Sequence, residues 1–285
     1  MGVQARSSRS AKYGSSTMAI DVVKRCRVTA EFDLSGHDAD ESFGWDKAWA
    51  KSQVGDVLAK VASLQERLFA EQERAVLVVL QAIDGGGKDS TIRNVLSTVN
   101  VAGVDVHSFG VPSEEDRAHD YLWRVHQCTP SKGIIGVFNR SHYEDVLVVR
   151  VKRLAPDEVW RRRYRHIRDF EQLLTDEGTQ VVKLFLNISK DEQRQRMQDR
   201  IDDPEKRWKF RKGDLDDRRL WDDYQQAFHE ALSETSTADA PWYVVPANRK
   251  WVRNLVVAEI LHHHLAAIDP QFPPVEEGIE GLVVE

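Results

Sequence analysis

The run Ala75-Val-Leu-Val-Val-Leu-Gln-Ala-Ile83 passes without a break into Asp84-Gly-Gly-Gly-Lys-Asp-Ser-Thr91, and no other stretch restricts the fold as much. Apolar side chains on both alternating faces mark a central strand of a parallel sheet, covered by helices on either side. The glycines end it, because residues without a Cβ can enter positive φ and turn the chain sharply. A strand, a glycine-rich turn, a lysine and a helix are, in order, the parts of an anion cradle: bared backbone N–H groups, a mobile cation and a helix N-terminus.

Further along, strand and helix periodicities take turns. Strands are expected at Val104–Phe109, Gly133–Phe138, Val181–Ile188 and Trp242–Val245. Helices are expected at Trp45–Gln72, Ser90–Val99, Glu114–His126, Asp157–Glu177, Ser189–Ile201, Asp217–Leu232 and Lys250–Ala267. Ser189-Lys-Asp-Glu192 reads as a capping box. Five strands alternating with helices predict an α/β fold, a doubly wound and mostly parallel sheet with ligands at the carboxyl ends of the strands. A chain of 285 residues can bury one such core, giving a domain over 45–268, a tail and arm over 1–44, and an acidic tail over 269–285.

Composition narrows the function. A formal net charge of −6 argues against general nucleic-acid binding, yet eight basic and two acidic residues between Arg150 and Arg168 leave room for a locally bound polyanion. No apolar run reaches the roughly 18 residues of a spanning helix. Arg6 stands where an N-terminal acylation signal needs Ser or Thr, and the Arg/Ser-rich opening reads as a tail rather than a transit peptide. Two distant cysteines, Cys26 and Cys128, suit a reducing compartment, so a cytoplasmic protein without membrane or nucleic-acid partners is expected.

Against the phosphate-loop pattern G-x-x-x-x-G-K-[ST], Ala82 replaces the first Gly and Asp89 the Ser/Thr. A carboxylate at Asp84 would repel phosphate unless a divalent cation lay between them, so Asp84 is expected to partner Mg2+ or to orient the acceptor oxygen. The third strand delivers Asn139-Arg-Ser-His-Tyr-Glu-Asp145 to the same sheet edge. Arg140 suits a clamp on a phosphoryl group, with a salt bridge to Glu144 or Asp145 as its structural alternative. His142 is a hydrogen-bonding or packing residue, or a phosphorylated nucleophile.

Asp84-Gly-Gly-Gly-Lys-Asp89, Phe138-Asn-Arg-Ser-His-Tyr-Glu-Asp145 and Ile201-Asp-Asp-Pro-Glu-Lys-Arg-Trp-Lys-Phe210 together resemble the polyphosphate kinase 2 family, roughly from Trp45 to Asp269. The resemblance implies a P-loop kinase-like fold of the thymidylate and adenylate kinase kind, with a helical lid at about 202–216. It implies Mg2+ or Mn2+, and inorganic polyphosphate as donor to a nucleoside mono- or diphosphate (AMP, ADP or GDP) by direct in-line transfer. The catalytic set carried over is Asp84, Lys88, Arg140 and Arg200. Gly85, Gly86, Gly87, Lys88, Asp89 and Lys209 would bind phosphates, and Asn139, Arg140 and Glu144 the acceptor nucleotide, with Asp84 and Asn139 toward the metal. Asn139, where many members have Asp, and Glu144, where relatives carry Asn, look like the subgroup that phosphorylates AMP as well as ADP. A homo-oligomer, dimer or tetramer, is expected.

Other features stay open at this level. The cations Arg194, Arg196, Arg200, Arg207, Lys209, Arg211 and Lys212 fit a lid that closes on phosphates or an exposed, salt-bridged hairpin. Arg161-Arg-Arg-Tyr-Arg165 fits a polyphosphate channel or a plain surface, and His262-His-His264 a surface or interface better than a metal site. Two competing functions are an ATP-dependent nucleotide kinase of similar fold, which the loop's two departures count against, and an inactive polyphosphate- or nucleotide-binding module, which the intact Asp84, Lys88 and Arg140 set counts against.

Overall fold

Ala75–Gln81 forms β1 and is buried at every position, as a strand with neighbours on both edges and helices on both faces must be. The other strands are β2 (Val104–Ser108), β3 (Ile135–Asn139), β4 (Thr179–Asn187) and β5 (Trp242–Pro246), in the order β2-β3-β1-β4-β5. Every strand pairing is parallel. This computed structural model describes residues 20–279 and 281–284; most of the expected N-terminal tail, 1–19, lies outside the described residues.

After β1 the chain runs to the edge strand β2, returns to β3 beside β1, and then crosses to β4 on the other side of β1. The order reverses around β1, so the carboxyl ends of β1 and β3 flank the crevice where such sheets take their ligands. Register places Leu80 beside Asn139 there, and the Arg140 amide continues the ladder to the Leu80 carbonyl at 3.1 Å.

The helices are α1 (Val22–Cys26), α2 (Lys47–Glu71), α3 (Lys88–Val95), α4 (Glu114–Ala118), α5 (Trp123–His126) and α6 (Val148–Val151), followed by α7 (Asp157–Asp176), α8 (Lys190–Asp202), α9 (Gly213–Arg219), α10 (Trp221–Thr235) and α11 (Lys250–Ile268). Alternation along β4 sorts them onto two faces. Val182 and Leu184 meet α3 and α11 through Ile92, Val95, Val257 and Leu261, whereas Lys183 points the other way, to Glu171 of α7 and Thr235 of α10. Among the described residues, no helix is long and apolar enough to cross a membrane.

Departures from expectation have local causes. The helix expected from Ser90 starts at Lys88, because the glycine turn feeds straight into it, and ends at Val95 rather than Val99. The stretch Glu114–His126 breaks into α4 and α5, the first closed by a Ser113/Asp116 capping box that the sequence reading missed. Only half of the expected Ser189 box forms: Ser189 accepts from the Glu192 amide, but the Glu192 carboxylate turns instead to Arg196. The lid stretch holds a 3-10 turn, Arg207–Lys209, and the start of α9. The arm is not peripheral packing: Val22, Cys26, Val28, Leu34 and Phe43 are buried, and Val28 N–H bonds to the Trp242 carbonyl at 2.8 Å on edge strand β5.

Leu77 has no exposed surface at the middle of β1. Leu77→Ala should therefore cost about 2–5 kcal/mol, read as a lower midpoint in urea unfolding with an unchanged slope.

Candidate functional site

From the end of β1 the chain turns through Ala82–Gly87 into α3. Gly85 and Gly87 have φ of +88° and +97°, values that a side chain strains against. A Cβ at Gly86 would collide with the Cβ of Ala82. Ala82 can therefore stand where the phosphate-loop pattern has glycine because Gly86, facing it, has no side chain.

The loop is braced from behind. Arg196 of α8 donates from Nη1 to the Gly85 and Gly86 carbonyls at 3.0 and 3.1 Å, and from Nη2 to those of Ala247 and Asn248 at 2.6 and 3.1 Å. Gln193 Nε2 holds the Asp84 carbonyl at 2.8 Å. The Gly87 carbonyl accepts from Arg253 of α11 at 3.4 Å, from the Thr91 amide and hydroxyl, each at 3.0 Å, and from the Ser90 hydroxyl at 3.1 Å. Burial, with Arg196 as a like-charged neighbour, brings Arg253 down to about 10, so it stays protonated at neutral pH.

In a trans peptide the N–H points opposite to the C=O. With the carbonyls of Asp84, Gly86 and Gly87 drawn inward, the amides of Gly85, Gly87 and Lys88 face the other way, while Gly86 N–H closes the turn on the Ile83 carbonyl at 2.9 Å. No side chain caps α3, so its first amides remain available to an anion.

Four charged groups meet at this point. Lys88 is buried and donates to the Ala82 carbonyl at 2.8 Å; burial lowers its pKa, although Asp84 opposes the shift. Arg140 Nη2 reaches Asp84 Oδ1 at 2.6 Å. Burial alone would raise the Asp84 carboxyl, but Lys88, Arg140 and more distantly Arg200 outweigh it and hold the group below the usual carboxylate range. Burial pushes Glu144 up, against Arg140 and Lys88, which act on it through charge. Arg140 itself sits at φ +61°, a left-handed conformation that costs a side-chain-bearing residue on the order of 1–3 kcal/mol.

The salt bridge foreseen between Arg140 and Glu144 or Asp145 is made to Asp84 instead, and Asp145 pairs with Arg163 at 2.9 Å. Asn139 donates to Asp89 Oδ1 at 2.9 Å and to the Ser108 hydroxyl at 3.3 Å, tying the ends of β2 and β3 to α3. Arg200, in the last turn of α8, bears on Asp84 electrostatically. Lys209 stands over the exposed Trp208 ring, 5.0 Å from its centre, and among the described residues makes no hydrogen bond to the loop.

Arg196, read from sequence as a lid cation, is the loop's brace. Arg253 was missed, although an arginine inside the apolar run of the last helix was a signal. His142 is fully buried, its Nε2 3.2 Å from Glu171. In the arginine cluster, Arg161 pairs with Glu230 and Arg163 with Asp145, so much of that charge is taken up within the fold. His264 is buried and bonds to the Tyr243 hydroxyl at 2.9 Å, unlike the surface triplet expected.

Beside these charges opens a cleft of about 250 Å3. Asp84, Arg140 and Glu144 line it together with Arg124, Asp145, Lys152 and Asp217, and Phe109, Val111, Leu147, Val148, Leu154 and Phe228 supply apolar surface. This apolar wall comes from segments that share no motif, which is why sequence reading did not find it.

A five-stranded parallel sheet with a glycine loop and lysine at the switch point defines a P-loop kinase-like phosphotransferase fold. Residues 44–273 match the model of the family described as polyphosphate kinase 2 (PPK2). The chain belongs to the polyphosphate kinase 2 family. It is 55% identical over 267 residues to an AMP/ADP-polyphosphate phosphotransferase of Meiothermus ruber, covering 92% of this chain and 100% of the relative. An ADP-polyphosphate phosphotransferase of Rhodopseudomonas palustris is 45% identical over 226 residues, 75% of this chain and 78% of that one. The crystal structure of polyphosphate kinase 2 from Arthrobacter aurescens TC1 superposes with a TM-score of 0.88 at 41% identity, covering 90% of this chain and 93% of that chain.

Two outcomes follow from the bracing and the ion pair. Arg196→Met should leave loop carbonyls without donors, at about 1–3 kcal/mol for each one left unsatisfied, and speed hydrogen exchange at the amides of residues 85–88. Asp84 has a depressed folded pKa, so its contribution to stability is present above the ordinary carboxylate value and lost as pH falls through the folded one. Asp84→Asn should therefore flatten the stability loss between about pH 5 and about pH 2, measured by urea unfolding at a series of pH values.

Proposed function

We propose that this protein moves a phosphoryl group between inorganic polyphosphate and AMP or ADP. The observation that carries this reading is the meeting of Asp84, Arg140 and Glu144 in one cleft that also has an apolar wall. A phosphate chain on the loop amides and Lys88, and a nucleoside against the apolar wall, would bring their phosphates together at Arg140. The names borne by the Meiothermus ruber and Rhodopseudomonas palustris relatives support the donor and the acceptors.

An oxygen of the acceptor's terminal phosphate attacks the end phosphorus of polyphosphate in line. The new P–O bond forms as the anhydride P–O bond behind it breaks, and the shortened polyphosphate keeps the electron pair. Charge spreads over the equatorial oxygens during this step, and Lys88, Arg140 and Arg200 are the cations that stabilise it. Lys209 approaches only if the 202–216 segment closes. Both sides of the reaction are phosphoanhydrides, so it runs in either direction.

Such chemistry uses Mg2+ or Mn2+, and the oxygen donors here fit one. Asp84 Oδ1 is taken by Arg140, while Oδ2 accepts no hydrogen bond among the described residues. Asp84, with the amide oxygen of Asn139 and the nearby Glu144, would hold an ion that hard oxygen ligands and substrate phosphates complete. When bound it neutralises phosphate charge.

The test is a coupled assay with Mg2+ and long-chain polyphosphate, offered AMP, ADP, GMP and GDP in parallel, with ATP as a control donor. Polyphosphate-dependent phosphorylation of AMP and ADP is expected, and transfer from ATP alone would overturn the donor. Lys88→Ala should fold normally and lose turnover by ~10²–10³-fold; full turnover in that variant would remove the loop from the reaction.

A further inference from the structure

Three successive side chains after Arg140 turn into the protein rather than out of it: Ser141, His142 and Tyr143 all have no exposed surface. They come from the segment that carries Arg140 and Glu144 to the cleft. Beneath it lies an ion pair with no contact with solvent, Lys183 Nζ to Glu171 Oε2 at 2.6 Å. Each side chain of the segment is fastened inward: Ser141 Oγ accepts from Gln81 Nε2 at 3.0 Å, and the Tyr143 hydroxyl donates to Glu171 Oε1 at 2.8 Å. The same Glu171 oxygen takes His142 Nε2 at 3.2 Å.

Lys183 spends its three donors on Glu171, on the Thr235 carbonyl at 2.7 Å and on the Tyr143 hydroxyl at 3.1 Å. Four elements, β4, α7, the end of α10 and the segment after Arg140, therefore meet at this ion pair. His142 donates from Nε2, which leaves Nδ1 as a buried acceptor with no partner among the described residues.

A buried ion pair adds little to stability over apolar side chains of the same size, because desolvation offsets the attraction. What it supplies here is direction. Arg140 stands in a left-handed conformation that its own side chain disfavours, and the residues just after it are pinned at several fixed points.

We propose that the buried Lys183–Glu171 pair, acting through Tyr143 and His142, is a positioning device that holds the Arg140 guanidinium at the place of phosphoryl transfer. It rests on the reading that Arg140 meets the transferred phosphoryl group. Tyr143, His142, Glu171 and Lys183 touch no substrate; they are positioning residues whose effect passes through Arg140. The ligand chemistry at the cleft is unchanged by the device, so its loss should slow the transfer step more than it weakens binding of either substrate.

The test is a double-mutant cycle of Tyr143→Phe and Arg140→Ala, in the full chain, with kcat and the KM for polyphosphate measured for each protein. Tyr143→Phe removes one oxygen and keeps the ring; Lys183 and Glu171 each lose a partner, so its unfolding midpoint should fall, and kcat and KM are compared at a temperature where the variant is fully folded. Alone it should lower kcat by roughly 10- to 100-fold with KM little changed. In the Arg140→Ala background it should have no further effect, because the device then has nothing to position. The same factor lost on both backgrounds, or no loss on either, overturns the proposal. A folded Lys183→Met/Glu171→Leu double variant provides a second arm: low kcat supports the device and wild-type kcat refutes it. The wild-type assay separates the two readings. Turnover from ATP alone would overturn the donor and leave the cycle intact, whereas turnover from neither donor would overturn both.

Discussion

Three carbonyls of the glycine turn end on two buried guanidinium groups, and the rest of the site depends on that. Arg196 and Arg253 hold the oxygens of Gly85, Gly86 and Gly87 to the inside. Only then do the amides of Gly87 and Lys88 point away from those guanidinium groups, because a planar peptide cannot turn both its ends the same way. Arginine suits this task better than lysine: its planar fork donates in several fixed directions, and Arg196 serves five acceptors on three segments at once. Arg196 and Arg200 lie one turn apart on α8. The first grips the loop and the second bears on Asp84, so the helix that leads into segment 202–216 is tied to the glycine turn.

Without ligand, the charges of the site satisfy one another. Arg140 rests on Asp84, and Lys88 on the carbonyl of Ala82. On the proposed reading, an arriving phosphate chain meets cations that already have partners to exchange. Each exchange keeps the desolvated group paired, which avoids the large cost of a buried unpaired charge. Glu144, its carboxyl raised by burial, stands close enough to Arg140 and Lys88 to follow such an exchange electrostatically.

The fold was legible because β1 has an unmistakable pattern and the glycine turn follows it directly; all five strands formed within a few residues of their expected bounds. Asp84, Lys88 and Arg140 were visible as a group because all three lie on the stretches that leave the carboxyl ends of β1 and β3. The partners were not visible. Arg140 pairs with a residue 56 positions away rather than with the neighbouring carboxylates, a choice made by the parallel pairing of β1 with β3. Arg196 looked like one more cation in a mixed-charge helix, and nothing in a helix wheel says which arginine turns inward. The apolar wall of the cleft draws on the stretch after β2, on α6 and on α10, which only the tertiary fold assembles.

A Cβ at position 87 and the guanidinium of Arg253 would occupy the same space. The two positions, 166 residues apart, therefore touch: a side chain at 87 would push the end of Arg253 aside and would still have to enter a φ of +97°. Position 87 is thus held to glycine by its backbone first and by the last helix second.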